Sequence, residues 1–321
     1  MSSGSALVTG GAGFIGSHIV DALLEKDFRV CVVDDLSTGS EDKLGRHRGD
    51  PRLSFVKGDI RRLDEIEVPS GVEVVFHEAA IASVPRSVDD PMGVHEVNVD
   101  GSLRVMEFCR RRGVKRFVFA SSAAVYGPVA SPPAKETDLC SPASPYGASK
   151  LAVEEYMRAY RSSYGLETVA LRYFNVYGPR QRMDDGYSGV IPLFARQLRD
   201  SIVPTVFGDG LQTRDFVSVR DVAAANMLAM ESSEASGEAI NVASGRQVTI
   251  LEVLEALAGG AGKGKVAPKF APARKGDLRV GDASIEKARA LLRYSPSVRL
   301  EEGLSEVLAY VIGERASVVG G

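Results

Sequence analysis

At 321 residues, 44% apolar and 25% charged, the chain is long enough for one large or two coupled domains with a substantial core. Its 39 basic and 42 acidic side chains leave a net charge of −3, which excludes a basic field for nucleic acid. No apolar run nears the roughly 18 residues that span a bilayer, so no membrane association is expected. Cys31, Cys109 and Cys140 are odd in number and lack paired spacing, which points to reduced thiols in a cytoplasmic protein without disulfide or metal. The opening Met1-Ser-Ser-Gly-Ser carries no basic stretch, so no signal peptide is expected.

Ser5-Ala-Leu-Val-Thr9 reads as a short buried strand, and Gly10-Gly-Ala-Gly13-Phe14-Ile15-Gly16 follows at once. Phe14, Ile15, Ile19, Val20, Leu23 and Leu24 then recur at helical spacing. Strand, Gly-x-x-Gly-x-x-Gly and helix form the phosphate-binding opening of a dinucleotide fold. The glycines allow a tight turn and close backbone approach, and the helix N-terminus faces the pyrophosphate. Arg29–Asp34 is the second strand, and Asp34 ends it. A carboxylate there accepts hydrogen bonds from the adenosine ribose and repels a 2′-phosphate, so NAD is expected over NADP. Leu36, Ser37, Thr38 and Gly39 continue as a polar loop around that ribose.

Leu53–Ile60 reads as a third strand that brings Asp59 and Ile60 towards the adenine, and Glu73–His77 as a fourth. Ala79 and Ala80 after it are small enough for the cofactor to pass close. His77, with no Ser or Cys partner in its motif, reads as structural. One long amphipathic helix is expected over about Pro91–Arg112, with Val94, Asn98, Leu103 and Met106 on it. Lys115–Ala120 is a fifth strand that delivers Ser121 and Ser122 to the carboxyl edge of the sheet, where ligands bind in open α/β folds.

Ser144-Pro145-Tyr146-Gly147-Ala148-Ser149-Lys150 opens the next helix, which runs to about Tyr164. Ser144 suits the cap and Pro145 the first turn, and Tyr146 and Lys150 share a face one turn apart. A free tyrosine, with a pKa of about 10, is a poor base at neutral pH, and a neighbouring ammonium is expected to lower that value. The pair is a proton-transfer device. Thr168–Arg172 is a sixth strand and leads into Tyr173 and Asn175. This alternation predicts an α/β fold with a doubly wound, mostly parallel, Rossmann-like sheet.

Beyond Gly178 the rhythm changes to a polar loop from Pro179 to Gly189 and a helix over about Val190–Arg199. Short strands follow at Pro204–Phe207, Phe216–Val219 and Ala239–Val242, one of them rejoining the sheet. Helices near Leu251–Ala258, Ser284–Leu292 and Glu301–Ile312 complete the chain. The expected division is an NAD-binding domain of residues 1–175 with about 214–245, and a smaller mixed α/β substrate-binding domain of 176–213 and 246–321.

Six motifs together resemble the extended short-chain dehydrogenase/reductases, specifically the sugar-nucleotide epimerases and dehydratases. They are Thr9–Gly16, Asp34–Gly39, Ser121–Gly127, Tyr146–Lys150, Leu171–Gln181 and Gly208–Phe216. Within that group the chain is most similar to UDP-galactose 4-epimerases and, through Ser83–Pro91, to their N-acetylhexosamine relatives. The resemblance implies Tyr146 as the acid/base, Lys150 as its tuner and nicotinamide-ribose ligand, and Ser122 as partner of the sugar hydroxyl. It implies Asn175 at the nucleotide diphosphate, Arg214 and Arg274 gripping the phosphates, and Thr205 and Phe207 near the uracil. It adds Asn98 and Tyr173 to the cofactor residues, and Ser83, Val190 and Asp277 to those of the UDP-sugar. A homodimer is also implied, with Leu151, Met157 and Met106 as apolar residues to spare for a helical interface.

The reaction so implied oxidises sugar C4 to a ketone, turns the tethered intermediate and reduces its other face. Dehydratases and decarboxylases of the group carry acidic residues just after Ser122, where this chain has Ala123 and Ala124. A UDP-glucuronate 4-epimerase stays open, with Ser83, Arg86 and Ser87 as candidate carboxylate contacts, as does a non-catalytic NAD-sensing protein. The sugar gate falls within Gly276–Asp282, two residues shorter than the pattern, so either Gly281 or Arg279 occupies it. Neither is the tyrosine that excludes an N-acetyl group, so both UDP-glucose and UDP-N-acetylglucosamine are expected to fit.

Overall fold

Most positions in the inner strands of the main sheet are buried, as a parallel sheet covered on both faces requires. The computed structural model describes residues 4–128, 132–183, 189–273 and 280–319. Strand and helix alternate from the start: β1 (Ser5–Thr9), α1 (Phe14–Glu25), β2 (Arg29–Asp34), β3 (Leu53–Lys57) and β4 (Val74–His77). Helices α2 (Val84–Asp89) and α3 (Pro91–His95) lead through a π-helical turn at Glu96–Gly101 into α4 (Ser102–Arg112). Then come β5 (Arg116–Ser122), α5 (Pro145–Tyr164), β6 (Glu167–Tyr173) and β7 (Asn175–Tyr177). The next elements are α6 (Val190–Arg199), β8 (Thr205–Phe207), β9 (Thr213–Arg214), β10 (Phe216–Ser218), α7 (Val219–Glu231) and β11 (Glu238–Val242). The last are β12 (Val248–Thr249), α8 (Ile250–Gly260), β13 (Lys269–Ala271), β14 (Val280–Gly281), α9 (Glu286–Leu292) and α10 (Leu300–Val319).

Seven strands pair in the order β11-β6-β5-β4-β1-β2-β3, all parallel. The order reverses between β1 and β4, and the crevice at such a reversal is where open α/β sheets bind ligands. One face buries Ile19 and Leu23 of α1 with Val222 and Ala225 of α7; the other buries Val105 and Met106 of α4 with Val153 and Met157 of α5. A third cluster, with Phe194, Leu254 and Leu308, joins α6, α8 and α10. Short strands pair near it: β7 with β10, β8 with β13, and β9 between β12 and β14. Among the described residues no helix is long and apolar enough to cross a membrane, and no group of His, Cys, Asp and Glu could hold a metal.

Four sequence expectations change. The helix over 91–112 stays helical throughout, capped by Asp90, but it carries a π turn at Glu96–Gly101 that sets the Asn98 amide against Ile81 and Ser149. The third strand stops at Lys57, since Asp59 turns to cap a 3-10 helix by accepting from the Arg61 N–H at 2.8 Å. Helix α7 was not anticipated, although Ser218 caps it and Val219, Val222, Ala223 and Asn226 are buried at helical spacing. Met106 and Met157 are 0% and 3% exposed, and Leu151 packs beside Val125 and Tyr126, so these residues serve the chain's own cores.

Candidate active site

The glycine turn after β1 leaves no room for side chains. Gly10 has φ +70°, and a Cβ there would stand 2.6 Å from the Ala79 nitrogen. A Cβ on Gly16 would stand 2.2 Å from the Gly10 oxygen, so the first turn of α1 lies directly on the loop. Gly13 caps that helix with its N–H bonded to the Gly10 carbonyl at 3.0 Å, while Phe14 and Ile15 stay half-buried beside it. This bare backbone at a helix N-terminus suits a pyrophosphate. Asp34, 6% exposed, accepts from the Ala12 N–H at 3.0 Å and the Leu36 N–H at 2.9 Å, tying the turn to the end of β2. Burial pushes its carboxyl up, and the two N–H groups oppose that.

Leu36 has φ +62°, Ser37 and Thr38 are exposed, and Gly39 returns against Asp34. Ala79 and Ala80 are half-buried where β4 exits. Asp59 is engaged by the Arg61 guanidinium at 2.6 Å, which holds its carboxyl below the usual range, and Ile60 is buried behind it. Asn98 sits one layer back: its amide exchanges hydrogen bonds with Ile81 at 2.8 and 3.2 Å and donates to Ser149 at 3.1 Å. It positions the strand exit and the helix that carries Lys150.

Helix α5 starts as expected, with the Ser144 hydroxyl accepting from the Gly147 N–H at 3.2 Å and Pro145 in the first turn. Two turns in, Glu154 accepts from the Ser121 hydroxyl at 2.5 Å and from the Arg172 guanidinium at 3.0 and 2.7 Å. That buried pairing fastens α5 to the ends of β5 and β6. Ser122 caps the turn after β5, and its hydroxyl acts on the Tyr146 phenol. Lys150, 3% exposed, donates to the Ala120 carbonyl at 2.8 Å and lies 4.7 Å from the Phe119 ring centroid and 5.9 Å from that of Tyr146.

The charge balance corrects one expectation. Burial pushes the Tyr146 phenol above its usual value, Ser122 pulls it back, and the Glu78 carboxylate adds to the rise. The net direction is upward because burial dominates, and the Lys150 ammonium directs its hydrogen bond to Ala120. Burial brings Lys150 itself down to about 8, with Glu78 opposing. Glu78 escaped the sequence reading; the signal was a carboxylate at the end of an apolar strand, beside two alanines. It accepts from the Tyr173 hydroxyl at 2.8 Å, and Asn226 donates to the same Tyr173 oxygen at 2.8 Å.

His77 is structural, as read. It is fully buried, with Nδ1 2.6 Å from the Thr9 hydroxyl and Nε2 2.8 Å from that of Ser102. Since Ser102 donates to the Asn98 carbonyl at 2.6 Å, the imidazole proton sits on Nε2 and Thr9 donates to Nδ1.

A cavity of about 320 Å³ brings together Asn175, Val190, Thr205, Phe207 and Arg214. The Asn175 amide donates to the Asp215 carbonyl at 3.0 Å, and Arg214 donates to the Thr213 carbonyl at 2.7 Å. Gln181 and Gln212 also line it, and Gln212 donates to the Phe207 carbonyl at 2.9 Å. Both lay inside motifs that the sequence reading quoted without giving them roles. Gly281 pairs with Arg214, and a Cβ there would meet the arginine Cδ at 3.0 Å. Arg274, Asp277 and Arg279 lie outside the described residues. Ser83 caps α2, and Ser87 is buried and bonded to the Val84 carbonyl at 2.6 Å, which leaves Ser83 and exposed Arg86 as carboxylate candidates.

Known proteins are similar to this chain over most of its length. The profile of the NAD dependent epimerase/dehydratase family matches residues 6–243. The chain is 40% identical over 307 residues to the UDP-glucose 4-epimerase of Mycolicibacterium smegmatis, covering 95% of this chain and 97% of that one. The structure of UDP-N-acetylglucosamine 4-epimerase from Methanobrevibacter ruminantium, in complex with UDP-N-acetylmuramic acid, superposes with a TM-score of 0.91 at 37% identity, covering 98% and 100% of the two chains. UDP-glucose 4-epimerase of Thermus thermophilus, in complex with NAD, gives 0.85 at 40% identity, covering 96% and 99%. With its glycine turn, its Tyr146–Lys150 helix and these likenesses along most of its length, the chain belongs to the NAD dependent epimerase/dehydratase family.

Proposed function

We propose that the protein is an NAD-dependent UDP-sugar 4-epimerase that interconverts UDP-glucose and UDP-galactose and also accepts the N-acetylhexosamine pair. The observation that carries this reading is Tyr146 with Ser122 acting on its phenol and buried Lys150 beside its ring, together with Ala123 and Ala124 where an eliminating enzyme needs an acid. The likeness to epimerases of both sugar classes supports it.

The bare glycine turn and buried Asp34 fit a dinucleotide, so Gly10, Gly13, Gly16, Asp34 and Lys150 would hold NAD. When bound, NAD supplies an acceptor and donor of hydride at sugar C4. Tyr146 takes the proton of the 4-hydroxyl and later returns it, with Ser122 aligning that hydroxyl. Arg214 and Arg274 hold the diphosphate while the 4-keto sugar presents its other face, so binding remote from C4 retains the intermediate. Ala123 and Ala124 move no proton, which keeps the intermediate from elimination.

Residues 1–175 with about 214–245 would bind NAD, and 176–213 with 246–321 the UDP-sugar. A homodimer is supported by apolar residues left exposed on one side: Val88 at 64% and Met92 at 68% near α3, and Tyr156 at 44% and Tyr164 at 57% on α5. The three thiols fit a cytoplasmic setting, with two buried and none in a disulfide.

The test is a turnover screen of UDP-glucose, UDP-galactose, both UDP-N-acetylhexosamines and UDP-glucuronate, with product chromatography and NADH absorbance. Equilibration of the four neutral sugars without net NADH is expected. Tyr146→Phe should lose about 10²–10⁴-fold in kcat and keep UDP-sugar binding. Conversion of UDP-glucuronate alone would replace this reading with a uronate epimerase, and stoichiometric NADH would replace it with a dehydrogenase.

A further inference from the structure

Lys150 is a cation in a poor environment. It is 3% exposed, with one carbonyl at 2.8 Å and the aromatic rings of Phe119 and Tyr146 around it. An ammonium so placed sheds its proton unless an opposite charge lies near. Strand pairing brings a carboxylate to it: His77 pairs with Phe119, so Glu78 follows β4 at the level of Ala120, whose carbonyl holds Lys150, and its charge opposes the loss of that proton.

Glu78 is held from two sides. Its N–H bonds the Thr9 carbonyl at 3.0 Å, which fixes its backbone where β4 leaves the sheet. Its carboxylate takes the Tyr173 hydroxyl at 2.8 Å. The direction of that bond is set by Asn226, which donates to the Tyr173 oxygen at 2.8 Å and to the Val222 carbonyl at 2.9 Å. Having accepted from Asn226, Tyr173 has its own proton to give, and it gives it to Glu78. Tyr173 and Asn226 are 7% and 0% exposed, so the relay is rigid, and a donor aimed at a carboxyl favours its ionised form.

We propose that Glu78 is a positioning residue for the reaction: its carboxylate, held by Tyr173, is the counter-charge that keeps Lys150 an ammonium beside Tyr146. This rests on the proposed function, in which Lys150 helps to hold NAD and needs its proton to donate. The charged and titratable groups facing the pair are Tyr146 from α5, Tyr173 from β6 and His77 from β4. His77, pushed down to about 3 by burial, stays neutral and adds no cation. Burial pushes Glu78 up to about 7, and its charge raises both Lys150 and Tyr146. Each charge thus opposes the neutralisation that burial imposes on the other.

The experiment follows Lys150 directly, by nuclear magnetic resonance of isotope-labelled lysine in the NAD-loaded protein, with the resonance assigned by Lys150→Ala. In Glu78→Gln the titration should move to lower pH by about one unit, and Glu78→Asp should restore part of the difference. Tyr173→Phe, which keeps the carboxylate but removes its donor, should move it the same way by less. The alkaline edge of kcat in Glu78→Gln should follow the resonance while KM for the UDP-sugar stays put. An unchanged Lys150 titration in Glu78→Gln overturns the proposal; should that variant not fold, an unchanged titration in Tyr173→Phe does so. The resonance needs no turnover, so a parent protein that epimerises nothing would sink the proposed function and leave this test standing.

Discussion

The glycine turn and the nucleotide-sugar cavity are built in opposite ways. The turn occupies seven consecutive residues, Gly10–Gly16, and at Gly10 and Gly16 an added Cβ would meet backbone at 2.6 and 2.2 Å. The cavity draws Asn175, Val190, Thr205, Phe207 and Arg214 from separate stretches, and its walls are side chains. A backbone contact has no rotamer by which to yield, whereas a side-chain wall adjusts. Damage to the first should be all-or-none, and damage to the second graded.

Gly16→Ala tests the rigid side and should have the largest effect. Its methyl would press on the Gly10 carbonyl, so the turn must open. NAD affinity by calorimetry should fall at least about 100-fold, the scale of a lost phosphate-cradling geometry. A tenfold loss or less would show that the turn flexes and would erase the contrast.

Arg214→Ala tests the adaptable side. Loss of a charge-assisted grip on the diphosphate should raise KM for the UDP-sugar about 10- to 100-fold, with NAD affinity unchanged. Arg214→Lys should fall between, since an ammonium lacks the guanidinium fork. Equal damage to NAD affinity would mean that the two regions are one mechanical unit.

The smallest effect concerns the shared floor beneath both. Burial holds His77 down to about 3 against an ordinary 6.5. The unfolded chain therefore takes up a proton below about 6.5 that the native state refuses until about 3, so stability falls as pH drops through that window. Thermal midpoints should decline from neutral pH towards about pH 5, and more shallowly in His77→Gln. Parallel slopes in the two proteins would put the acid sensitivity elsewhere; His18, pushed down to about 4 chiefly by its burial, is the next candidate.

Elements whose ends are marked by local chemistry were legible. Ser144, Pro145 and the αL Gly165 bound α5 where they were expected to, and Gly10–Gly16 joins β1 to α1 without surprise. The misses share a cause. In α7 the buried stripe alternates valines with alanines and Asn226, so its apolar signal is faint, and it becomes a helix by packing against α1 and the sheet. The π turn at Glu96–Gly101 answers to Asn98 reaching Ile81 and Ser149, one of them 51 positions away along the chain.

The sequence by itself determined the parallel sheet, the dinucleotide turn, and Tyr146 with Lys150 on one helical face. Each rests on spacings of a few residues, where backbone geometry allows few outcomes. Only the tertiary structure decided how that face is charged. It set Lys150 against Ala120 and Phe119, and it aimed the Asn226–Tyr173 relay at Glu78. Burial and long-range partners govern ionisation, and neither can be read from neighbours in the chain.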